Sequence, residues 1–435
     1  NDQRYTGPLN GQLNALTRRA LAWWLNPARN YRCPVVVTAR LAPDYRQVAP
    51  DGENLWYGDS SPSSSRRMHV LDLSGRYTLP AIKDARDVQV GGARFIVLGY
   101  YVGPGGPNMD SRHSWASMAY DSLPIMGITE AALASDAAQA RRWSTYFTIR
   151  PTIEKEAWGR FDVVNGWDLG TISIPPFHYT LGPPGGDTKG ELGALLSYLR
   201  HRDRALFEQA IGRFGIRPVR VWPDTEREQA KYVSAIEAIQ APGTRHSAWP
   251  GGSDREYFRS WHWVYRFVMA NRLFDRWKAI VYDFARLRLH ELSSVRMAGV
   301  PNGVIPPVLA DGGAATLGDV YSSELSRAMV LRWHVNRPGH LVESDRAAGH
   351  LWGALLRAQQ SAPALSWTSP ATTWSRPQLD ALVQGLRHEV LQISSTTIRN
   401  LLSEHFDFIV NEFTLEKRTL SREPRTMLLD DPPPR

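Results

Sequence analysis

The 435-residue chain has one cysteine, Cys33. A single thiol closes no disulfide within the chain and builds no cysteine metal site; it leaves the redox compartment open. The 12 histidines are scattered and form no His-x-x-x-His or His-Glu-x-x-His pattern, so neither a metal nor another cofactor is expected. No run of about 18 apolar residues occurs, which removes the usual signal for a membrane-spanning helix. No charged segment followed by an apolar one marks a secretion signal. The first residue is Asn rather than Met, so the sequence reads as a fragment, a processed product or the ordered part of a longer protein. No internal repeat is visible.

Positive charge and tryptophan are plentiful. The net charge is +8 and the pI about 9.6, which suits a polyanionic partner such as an anionic cell wall, lipid or nucleic acid. Nucleic acid is not expected, because Lys and Arg are spread along the chain and no reading motif occurs. Hydrophobic residues at 43% and charged residues at 22% describe an ordinary globular chain, long enough for two or three domains. The 16 Trp read mainly as core, since large rings bury much area, with sugar-binding clefts as the other use.

The pattern divides the chain into four parts. Residues 1–30 hold a Gly7-Pro8 turn and a helix with Leu16, Ala20, Leu21, Trp23 and Trp24 as apolar positions. Residues 31–125 carry β-branched and alternating runs such as VVVTARL and DVQVGGARFIVLGYYVG, separated by Pro/Gly/Ser clusters, and predict a small β-rich domain. The GPGGPN stretch is a loop, not a phosphate cradle, because no helix opening with Lys and Ser/Thr follows. Residues 126–410 are largely helical: a capped helix after Thr129, a helix through Leu192, Leu195, Leu196 and Leu199, a long central helix or helix pair over residues 257–292, and a Ser-capped helix ending before Pro338. Residues 411–435, ending DDPPPR, predict a loose tail.

The stretch IEKEAWGRFDVVNGWDLGTISIPPFHYTLG, residues 153–182, poses the functional question. On residue type alone, Glu156 is a solvated helix end. A helix end followed at once by a hairpin changes that reading. A carboxylic acid there can protonate a glycosidic oxygen if partial burial raises its pKa, and a second carboxylate or a held water completes hydrolysis. GRFDVVNGWD and TISIPPFHYT are expected to form the two hairpin arms. Glu154 points to another face. Asp162 and Asp168 are turn stabilisers by residue type, and His334 and Asn336 are helix-end packing. His201-Arg202-Asp203 echoes a kinase triplet but lies within an amphipathic helix, so it carries no such function.

Two resemblances go further. Residues Tyr5, Gly7, Asn10, Gly11, Thr17, Arg18, Ala20 and Leu21 resemble the second half of a peptidoglycan-binding repeat domain. Glu156, Gly159, Arg160, Phe161, Asp162, Val164, Asn165, Trp167 and Asp168, then Ile172, Ser173, Tyr179, Thr180 and Leu181, then Gly190-Glu191-Leu192, resemble phage and bacterial cell-wall proteins of the lysozyme-like superfamily. His334 to Pro338 extends that likeness, which spans residues 128–360. The resemblance implies an α+β fold: a mainly helical lysozyme-like domain with a catalytic-side β-hairpin, preceded by the small β-rich domain. It implies Glu156 as general acid, Asp168 as a second carboxylate, and Ser173, His178, Tyr179, Thr180 and Trp167 as substrate-binding residues. Peptidoglycan is then the expected partner, in a cell envelope, a phage or injection-system particle that the chain helps assemble, or a delivered effector. Pro175 stands where the pattern has Gly, and His178 where it has Gln. Those departures favour the alternative of a non-catalytic wall-binding or structural protein that keeps the fold.

Overall fold

The computed structural model describes residues 123–129, 136–164, 172–182, 189–212, 216–218, 267, 270, 271, 274–343, 346–415 and 418–434, together with the backbone of the remaining strands named below. The longer helices are α1 (Ala137–Ala157), α2 (Glu191–Arg202), α3 (Arg204–Ala210), α4 (Asp275–Ser294), α5 (Glu324–Asn336), α6 (Gly349–Ser361), α7 (Arg376–Leu391) and α8 (Thr396–Asp407). Helix dominates the described residues, with small antiparallel strands beside it. The chain divides into two compact units. The first comprises Asn1–Ser122, Arg160–Asp224 and Ile236–Val281; the second comprises Leu123–Gly159, Thr225–Ala235 and Tyr282–Arg435. The stretch read as one helical domain over 126–410 is therefore shared between the two.

In the first unit, strands β1 (Pro34–Thr38), β2 (Leu55–Tyr57), β3 (Arg67–His69), β4 (Asp87–Val90), β5 (Ala93–Gly99), β6 (Tyr101–Gly103) and β7 (Gly106–Asn108) fall within the stretch read as β-rich. β1, β5 and β4 form a three-stranded antiparallel sheet in that order, with Val36 opposite Val97. β2 pairs with β3, and β6 with β7. A second sheet is built from β8 (Ile172–Ile174), β9 (Tyr179–Leu181), β10 (Lys189–Gly190), β11 (Arg217–Pro218) and β12 (Glu237–Gln240), in the order β11-β12-β10-β9-β8. Gly190 is required in its central strand, β10. Its φ is 151°, and a Cβ there would sit 2.1 Å from the Thr180 carbonyl oxygen, an approach only glycine allows.

Helix α2 buries Leu192, Leu195, Leu196 and Leu199 completely. This is the face the spacing predicts, and each such side chain contributes about 1.5–3 kcal/mol. Arg200, His201 and Arg202 occupy its last turn, where cations meet the negative end of the helix dipole. Asp203 caps α3 by accepting from Leu206 N at 2.9 Å, so the kinase-like triplet is a helix junction. Asp162 is buried and lies beside Lys278. Lys278 is itself fully buried, and its ammonium reaches Asp275 at 2.5 Å.

The second unit is organised around α5, which is buried from Glu324 to His334. Most polar groups on a helix buried on all sides find partners within the protein. Glu324 accepts from Ser144 Oγ, Arg418 Nη2 and Ser421 N at 3.0, 2.6 and 3.0 Å. Arg327 donates to the Tyr321 and Gly318 carbonyls at 3.0 and 2.5 Å. His334 Nδ1 accepts from Arg288 Nε at 3.1 Å. Ser323 caps the helix N-terminus, as the Ser-Ser-Glu signal predicts, and the helix stops at Arg337 before Pro338. Trp333, Trp352, Trp367 and Trp374 are buried in this unit. Of the 257–292 stretch read as a long helix or helix pair, the part from Asp275 is helical, in α4, and most of residues 257–274 lie outside the described residues.

The last residues are docked rather than loose. Leu428 N donates to Ser144 Oγ at 3.1 Å, and Asp430 N to Thr145 Oγ1 at 3.0 Å. The Asp430 carboxylate is buried and pairs with Arg286 at 2.6 Å. Backbone groups that meet hydroxyls on α1 hold this segment, which explains why its composition reads as a tail.

Candidate functional site

Helix α1 starts at Asp136, whose carboxylate accepts from Ala138 N at 2.8 Å; the residues that would follow a Thr129 cap, 130–135, lie outside the described residues. It ends at Trp158 and Gly159, both left-handed, with Trp158 N bonded to Glu154 O at 3.0 Å and Gly159 N to Ile153 O at 3.2 Å. This closing turn fixes the last helical carboxylates. Glu154 is taken by Arg150, whose Nε donates to it at 2.8 Å.

Glu156 takes a different partner. Its side chain is 15% exposed, and it forms an ion pair with Arg332, which is 1% exposed. Arg332 Nε donates to His405 Nδ1 at 2.7 Å. Burial, and then the Arg332 charge, push the His405 imidazole down to about 4. His405 is therefore neutral at physiological pH, with its Nδ1 lone pair on Arg332 and its proton on Nε2. Lys155 meets Glu404 at 3.0 Å and lies 4.6 Å above the Phe408 ring. The Lys155 hydrogen bond and charge hold the Glu404 carboxyl below its ordinary value. Chemically, the cluster presents a partly exposed carboxylate on a buried guanidinium.

The hairpin is shorter than expected. Its arms are β8 and β9, with Ile172 opposite Leu181, Ser173 opposite Thr180 and Ile174 opposite Tyr179. Phe161 to Val164 do not form an arm; they run through the interior with Phe161, Asp162, Val163 and Val164 all buried. Thr180 Oγ1 donates to the His178 carbonyl at 2.8 Å, so Ser173 Oγ donates to Thr180 Oγ1, also at 2.8 Å. Ser173 and Tyr179 are fully buried, whereas His178 and Thr180 are half-buried. His178 is left-handed, with φ of 49°, and follows a cis Pro175-Pro176 bond in the turn. Ser173, His178, Tyr179 and Thr180 thus come together on one hairpin of the first unit, while Glu156 belongs to the second. Trp167 and Asp168 lie outside the described residues.

Arg332 and His405 carry no local sequence signal and were not singled out by the sequence. A second cluster also escapes it. His350 Nδ1 meets Glu389 at 3.1 Å, and the His340 ring lies 5.0 Å from the His350 ring. Trp333 Nε1 donates to His340 Nδ1 at 3.3 Å. Burial, then His350 and Arg337, lower the His340 value. The Glu389 carboxylate lies on Gly353, where a Cβ would be 2.5 Å from it. The carboxylate orients the imidazole, as in a general-base dyad, but no nucleophilic hydroxyl is bonded to it among the described residues.

Among the described residues no group of three or more His, Cys, Asp or Glu side chains is placed to hold a metal ion, and no helix is long and apolar enough to cross a membrane. No protein-family model matches the chain, and neither curated proteins nor solved structures give a match.

Proposed function

We propose that the chain acts on bacterial peptidoglycan as a lysozyme-type glycoside hydrolase, with Glu156 as the acid that serves the glycosidic oxygen. The observation that carries this reading is the placement of Glu156. It sits in the last turn of a 21-residue helix, part exposed, oriented by Arg332, and followed in sequence by the β8–β9 hairpin. The basic charge and the resemblances at both ends of this stretch support the same partner.

A second reading has its own support: a wall-binding or structural protein that keeps the fold without catalysis. Glu156 already has an ionic partner, and the Ser173 and Thr180 hydroxyls bond to one another. Purified peptidoglycan incubated with the protein and with Glu156→Gln separates the two. New reducing ends, identified by mass spectrometry and lost in the variant, support the hydrolase. No release by either protein, with sedimentation on sacculi intact, selects the binding role. Neither release nor sedimentation removes peptidoglycan as the partner. The cell envelope, a phage or injection particle and an effector role share this chemistry.

A further inference from the structure

Helices α6, α7 and α8 enclose a half-open cleft of about 470 Å³, within the range of small-ligand sites. Gly385 brings α7 against α6, since a Cβ there would lie 2.2 Å from the Ala354 carbonyl oxygen. Val390 and Phe406 are buried in its floor. Leu391 stands at its wall, 56% exposed. This is the largest exposure of a large hydrophobic side chain among the described residues, and it gives a ligand body a surface to cover.

The charges around the cleft are unequal. Arg387 is committed to Asp407 by an ion pair. Arg357 also lines the cleft, is exposed, and makes no ion pair among the described residues. Two guanidiniums against one carboxylate leave one positive charge beside an apolar floor, with the His388 imidazole and the Ser361 and Ser403 hydroxyls as further polar partners. We infer that this cleft binds a small organic monoanion with an apolar body, its anionic group on Arg357 and its body against Phe406 and Leu391. A guanidinium on an anion forms charge-assisted hydrogen bonds, the stronger class. The floor adds area-proportional affinity without fixing identity. A cation is excluded by the same charge balance.

The probe is 8-anilinonaphthalene-1-sulfonate, a monoanion with aromatic rings, compared with neutral N-phenyl-1-naphthylamine. Fluorescence titration of the full chain is expected to show one sulfonate site, weakened roughly tenfold by Arg357→Gln, with the neutral compound weaker on the parent and unchanged by the variant. Arg357 is exposed and unpaired, so its replacement leaves the fold intact. Ser361→Trp, which fills the mouth, is expected to remove both compounds. Equal affinity for the two compounds, an unchanged sulfonate affinity in Arg357→Gln, or no binding at all overturns the inference.

Discussion

Replacing Glu156 by Gln removes one charge and almost no volume, so its effect measures the Glu156–Arg332 pair. Arg332 is 1% exposed and keeps only His405 Nδ1 as a described side-chain partner once the carboxylate is gone. Stripping a buried guanidinium of its counter-ion costs about 3–5 kcal/mol when burial is complete. Glu156 is 15% exposed, and the Gln carbonyl still accepts a hydrogen bond, so about 2–3 kcal/mol is expected. For a unit of this size each kcal/mol moves the melting temperature by about 2–4 °C, giving a fall of roughly 5–10 °C. Differential scanning calorimetry of the parent, Glu156→Gln, Arg332→Met and the double variant closes the cycle. The double variant is expected to lose less than the sum of the singles, with a coupling of about 1–2 kcal/mol. A melting temperature for Glu156→Gln within a degree of the parent would refute the reasoning. It would mean that the carboxylate does not neutralise Arg332. The same number guards the activity test: loss of muropeptide release is assigned to chemistry only at temperatures where the variant is folded.

The other predictions follow from single contacts. His405 titrates at about 4 in the folded protein against about 6.5 in an unfolded chain. The unfolded state takes up the proton first, so the contribution is complete above pH 6.5 and is lost as pH falls towards 4, by roughly 3 kcal/mol in all; His405→Gln is expected to flatten that limb in urea titrations at each pH. Gly385→Ala drives a methyl into the Ala354 carbonyl, and chemical denaturation is expected to show a loss of about 2–4 kcal/mol, whereas Gly349→Ala, with open space around it, costs under about 1 kcal/mol. Deleting residues 418–435 strips Glu324 of Arg418 and Ser421, and Arg286 of Asp430. Limited proteolysis of the truncated chain is expected to cut α1 and α5 well before the parent is cut.

What the sequence made legible was local. Ser323 ahead of α5, the leucine face of α2 and the β-branched run of β1 each announce themselves within one or two turns of chain, because capping and periodicity act over that distance. The charge environment of the candidate site does not. Glu156 meets Arg332 across 176 positions, and Arg332 meets His405 across 73. An arginine in a helix reads as a solvated face until a partner from elsewhere buries it. The hairpin was missed by one segment for a related reason. Phe161-Asp162-Val163-Val164 reads as a strand, and it is buried on every residue, but an apolar run cannot say whether another strand lies beside it. The C-terminal residues fail more completely. Their docking uses backbone N–H groups of Leu428 and Asp430 on hydroxyls 284 and 285 positions away, and every non-proline residue carries the same N–H. A wall-active Glu156 and a purely structural one therefore share the same local sequence. They differ in whether the carboxylate serves a glycosidic oxygen or only neutralises Arg332, which muropeptide release by the parent and Glu156→Gln at a temperature where both are folded resolves.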